Sequence, residues 1–88
     1  MATALFIIPQ KDADKARAIE GHLRDVAGLS QIRVQHEPFD PFGPEAETRA
    51  VDEARITVSY DPAETTGKAI EGAFSALGIH ILDVRESP

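Results

Sequence analysis

The sequence predicts an α+β domain, a ferredoxin-like βαββαβ split sandwich with a four-stranded antiparallel sheet and two helices on one face. Three observations lead there. Short apolar or alternating runs have the dimensions of strands, and two longer stretches carry helical stripes. The elements fall in the order strand, helix, strand, long connection, strand, helix, strand. Right-handed crossovers and short connections then leave few other arrangements. Eighty-eight residues make a single domain, 1–88, with room for one modest core.

The first strand is Thr3 to Ile8, an apolar run stopped by Pro9 and of the length expected for a strand at the centre of a sheet. A polar turn, Pro9 to Asp14, follows, with Asp12 the better candidate for a helix N-cap. The first helix runs from about Ala13 to Ala27, with a stripe of Ala16, Ile19, Leu23 and Val26, and Gly28 ends it. Ile32 and Val34 alternate with Arg33 and Gln35 in the next strand, which fades at His36-Glu37-Pro38.

The most regular stretch is Ala54 to Val84. Ile56, Val58 and Tyr60 alternate with Arg55, Thr57 and Ser59, marking a strand with one buried face. Asp61-Pro62 ends it, since proline cannot donate to a ladder. Thr65 or Thr66 is placed to cap a helix whose stripe is Ile70, Ala73, Phe74 and Leu77. Gly78 stands where a left-handed cap is wanted, and Ile79 to Val84 reads as the last strand, apolar on both faces at Ile81 and Leu82.

Between the halves lies a connection at about 37–53 with three prolines, Phe39, Phe42 and Gly43. Its six acids face a single Arg49, so −5 of the net charge of −6 resides there. Loops of this length in a small domain are usually functional or disordered. The acidic balance argues against nucleic acid, whose binding needs a basic surface, and against an anionic membrane. Without cysteine there is no disulfide, thiolate metal site or thiol redox chemistry. The run Ala4 to Ile8 is too short for a signal peptide or a membrane span. The expectation is a soluble cytoplasmic protein.

The run ITVSYDPAETTGKAIEGAFSALGIHI is similar to the second half of heavy-metal-associated domains, the modules of copper chaperones and metal-transporting ATPases. LRDVAGLSQIRVQHE, Leu23 to Glu37, resembles the end of that family's first helix and its second strand. The resemblance implies a ferredoxin-like fold and metal handling. The family binds soft ions through a Met-x-Cys-x-x-Cys loop, and here that loop is Pro9-Gln10-Lys11-Asp12-Ala13-Asp14. No family ligand carries over, and a Cu(I) thiolate site is ruled out by ligand chemistry.

Two constellations remain. The topology should gather Asp12, Asp14, His36, Glu37 and His80 at one end of the sheet, where imidazole and carboxylate donors would suit Zn, Ni or Co. The bland explanation makes Asp12 a cap, Asp14 a first-turn acid favoured by the helix dipole, and both histidines ordinary strand-end residues. His22 reads as an exposed helical residue. The second constellation is Phe39, Asp40, Phe42, Glu45 and Glu47, which would dock a protein partner, or else fold back over the core edge. The edge of the second strand would also permit self-association. No nucleophile with a nearby base and no phosphate loop appears, so the sequence predicts no enzyme. Two functions stay open: a metal-handling module without thiolates, and an interaction module using the acidic connection.

Overall fold

The computed structural model describes residues 1–37 and 53–87. Four strands, β1 (Ala2–Pro9), β2 (Ile32–Glu37), β3 (Glu53–Tyr60) and β4 (Asp83–Ser87), form an antiparallel sheet in the order β2-β3-β1-β4. The apolar run that pointed to a central strand is the internal strand β1, where Phe6, Ile7 and Ile8 are all buried in succession. Along the rest of β1 burial alternates, with Ala2 and Ala4 buried and Thr3 and Leu5 half-buried, as for a sheet with one covered face.

The helical segments are α1 (Ala13–Ala16) and α2 (Ile19–Asp25), which follow a 3₁₀ turn at Gln10–Asp12, and α3 (Gly67–Ala76). The expected first helix is thus two pieces. Arg17 and Ala18 donate to the carbonyls three residues back, the tighter turn that offsets α2 from α1. Ala16, Ile19, Leu23, Ile70, Ala73 and Phe74 share one core with Ala4, Phe6, Ile8, Ile56 and Val58 of the sheet. Its centre is the tilted packing of Phe6 on Phe74, ring centroids 4.7 Å apart.

Two expectations are corrected. Val26 is not part of the buried stripe but is 73% exposed. Helix α2 stops at Asp25, Gly28 takes a positive φ, and the Leu29 amide donates to the Leu23 carbonyl. That turn tucks Leu29 into the core in place of Val26. The last strand begins at Asp83 rather than Ile79. With Gly78 left-handed, the Gly78 amide donates to Ser75 and the Ile79 amide to Phe74, a Schellman closure of α3. The backbone rejoins the sheet only where the Leu82 amide donates to the Ile7 carbonyl at 2.7 Å. Leu82 itself is left 48% exposed. Between the two possible caps of α3 the choice is Thr66, whose hydroxyl accepts from the Ala69 amide at 3.2 Å.

No helix among the described residues is long and apolar enough to cross a membrane.

The stripe correction is directly measurable by denaturant unfolding. Leu23→Ala is expected to cost about 2–5 kcal/mol. Val26→Ser is expected to stay within about 0.5 kcal/mol of the parent, as an exposed position should.

Candidate functional site

Strand β1 leaves the sheet at Pro9, β2 ends at Glu37 and β3 begins at Glu53. Because Pro9 pairs with Glu53 and Glu37 with Arg55, all three lie at one end, and the Leu82–Ile7 hydrogen bond brings the approach to β4 there as well. The predicted residues therefore share a pole. They do not share a point. His36 stands on the β2 edge, whereas His80 precedes β4 on the far side of β3 and β1. Three strand spacings separate the two edges, roughly 14 Å.

Asp12 does more than the predicted cap. Its side chain makes no capping hydrogen bond to the helix. It is 6% exposed, the one buried charged side chain among the described residues. Its Oδ2 accepts from the His80 backbone amide at 3.4 Å, and Lys15 Nζ lies 3.8 Å from Oδ1. This carboxylate ties the start of the first helix to the approach of β4, across 68 residues of chain. It satisfies an amide that has left α3 and not yet joined the sheet. His80 enters through its backbone.

On the other side of the pole a cavity of about 120 Å³ is lined by Gln10, Asp14, Arg17, His36, Glu37 and Arg55, among others. Asp14 and Arg17 are both highly exposed, with Arg17 Nε 3.9 Å from Asp14 Oδ1, a contact worth little in solvent. Glu37 faces Arg55 across the β2–β3 ladder. The cavity thus mixes two guanidinium groups and an imidazole with two carboxylates, a lining that can hold a polar or charged side chain of either sign. Among the described residues no group of three or more histidine and acidic side chains could hold a metal ion. Phe39, Asp40, Phe42, Glu45 and Glu47 lie outside the described residues.

Three features of the surface carried no readable signal in the sequence. Arg17 and Arg55 come together only through the helix–strand packing at this pole. At the opposite pole a larger cavity, about 590 Å³, includes Tyr60, Thr66, Gly67, Lys68, Glu71 and Glu86. Beside it, Glu64 accepts from Ser30 Oγ at 2.6 Å and from the Gln31 amide at 3.1 Å, joining the turn after β3 to the turn before β2. The Ser30 hydroxyl, and then the Gln31 amide, hold the Glu64 carboxyl below its ordinary value of 4.5.

No family model matches the chain, and no curated protein matches it significantly.

Two outcomes follow at this level. Asp12→Ala should lower stability by about 0.5–1.5 kcal/mol in denaturant unfolding, because it removes the part-buried hydrogen bond from the His80 amide. His80→Ala should leave stability nearly unchanged, since the bond runs through the His80 backbone. Glu64, with a lowered folded pKa, contributes stability above its unfolded pKa and loses it as the pH falls through the lower folded value. The difference in unfolding midpoint between the parent and Glu64→Gln should therefore be present at neutral pH and vanish as the pH drops below 4.5.

Proposed function

We propose that the chain is a ferredoxin-like binding module that recruits a protein partner through its acidic connection. The strand order supports the fold, because β2-β3-β1-β4 read from the other edge is 4-1-3-2, the order of two interleaved βαβ halves. The observation that carries the function is the position of the connection. It leaves the sheet at Glu37 and returns at Glu53, beside the mixed-charge cavity of Arg17, His36 and Arg55. A segment rich in proline, phenylalanine and acid, anchored at both ends by adjacent strands, can present Phe39 and Phe42 to an apolar groove. Asp40, Glu45 and Glu47 would meet a basic rim, and long-range attraction would speed the encounter.

Metal handling is the second reading; Asp14, His36 and Glu37 line one cavity but form no group that could hold an ion. The same lining includes Arg17 and Arg55, whose charge opposes a cation, and His80 does not line it, its amide being held by Asp12 in the approach to β4. The likeness to heavy-metal-associated domains then rests on packing and capping residues, with the family's thiolates replaced by a turn and a structural Asp12. On this account the scaffold serves binding, not catalysis.

Removal of residues 38–47 separates these readings from a bland loop. The shortened chain is expected to keep its circular dichroism spectrum and cooperative unfolding while losing capture of its partner from a cell extract. Phe39→Ser with Phe42→Ser should reproduce the loss. Undiminished capture by both variants would overturn the proposal.

A further inference from the structure

The two edges of the sheet are finished differently. At the β4 edge the Val84 amide donates to Asp83 Oδ1 at 2.9 Å, and Arg85 Nε holds the other oxygen of that carboxylate at 3.3 Å. The β2 edge has less cover. β2 pairs with β3 without interruption from Ile32 to Glu37, so it carries neither the bulge nor the proline that commonly blunts an edge.

Two independent hydrogen bonds fix which backbone groups of β2 face outward. In an antiparallel sheet one residue sends both its amide and its carbonyl to one side, and the next sends both to the other. The Ile7 carbonyl accepts from the Leu82 amide, so Ile7 faces β4. Alternation then gives Ala4, Phe6 and Ile8 to Val58, Ile56 and Ala54 of β3. It leaves Ser59, Thr57 and Arg55 to Arg33, Gln35 and Glu37 of β2, and turns Ile32, Val34 and His36 away from the sheet. The Ile32 carbonyl agrees, since it accepts from the Arg24 guanidinium at 3.1 Å. On the same side the amides and carbonyls of Val34 and His36 have no partner among the described residues.

The side chains along this edge are complementary to their own reverse. Arg33, Gln35 and Glu37 alternate along β2 and are all exposed. Arg33 has no ion-pair partner among the described residues. Two β2 strands laid antiparallel about Gln35 set Val34 opposite the partner's His36, and the outward groups of each satisfy those of the other. The same register sets Arg33 against the partner's Glu37 at a position without ladder bonds, where facing side chains come closest. Neighbouring registers are poorer. Centring on Val34 would take the Ile32 carbonyl from Arg24, and centring on His36 would set Val34 against Pro38, which has no amide to give.

We propose that the β2 edge joins two copies of the chain in a two-fold dimer, one sheet continuing into the other through β2 strands paired about Gln35. The occupant is a second copy because the edge is positive at Arg33 and negative at Glu37, and the chain itself supplies the reversed order. The two-fold sends the two acidic connections away at opposite ends of the strand pair. The interface uses β2 and not the connection, so it stands or falls separately from the interaction reading.

The test is sedimentation equilibrium of the full chain and its variants, with circular dichroism and cooperative unfolding to verify each fold. Contacts limited to a strand edge are small and weak, so the parent should dimerise with a dissociation constant of about 1 mM or tighter. His36→Pro removes an outward amide that the monomer's ladder does not use, and should stay folded and monomeric. Arg33→Glu and Glu37→Lys each set like charges across the axis, and each alone should weaken association by about tenfold. An equal mixture of those two variants restores both complementary pairs, and should associate as the parent does. The proposal is overturned if the parent remains a monomer, which leaves the edge bare or to another chain. It is equally overturned if His36→Pro associates as the parent does, or if the two folded charge variants associate no better mixed than alone.

Discussion

Everything in the molecule depends on strand β1 being enclosed. It lies between β3 and β4, and Phe6 beneath it meets Phe74 of α3 at the centre of the core. The three successive buried residues Phe6, Ile7 and Ile8 lie on this strand, which pairs on both sides. Once β1 takes that place, β2 and β4 become the two edges. The two poles of the sheet then acquire their separate characters: the acidic connection and Asp12 at one, the α3 cavity at the other.

The second constraint is the accounting of backbone amides where chain segments change role. Ile79 is apolar and follows a helix stop, yet its amide is committed to closing α3. The His80 amide goes to the Asp12 carboxylate, and only at Leu82 does the chain meet β1. Apolar pattern therefore dated the strand four residues too early, because it records which side chains avoid water and not which amides are spoken for. The same limit explains Val26 and Leu29. A helical stripe extends on paper as far as the apolar residues allow, whereas the chain turned at Gly28 and gave the core position to Leu29.

For the site, the sequence was informative along the strands and silent across them. That Asp12, His36, Glu37 and His80 share one end follows from strand direction, which the order of elements predicts. His36 lies on the β2 edge and the chain through His80 leads to β4 at the other edge, whereas the bond that holds the His80 amide to Asp12 has no local sequence signal. The α3 cavity was invisible for a related reason. Its parts come from Tyr60, the start of α3 and Glu86; in sequence Tyr60 reads as a buried strand residue and Thr66 as a cap, and nothing local joins them to Glu86.

The account makes the acidic connection, and not an ion, the business of the first pole. The most direct test is an NMR titration of the intact chain with zinc, nickel and cobalt, following the imidazole and amide signals of His36 and His80. The account predicts only weak changes that fail to saturate, as for isolated surface side chains. A saturable change of one ion per chain, centred on Asp14, His36 and Glu37, would contradict it and restore the metal-handling reading.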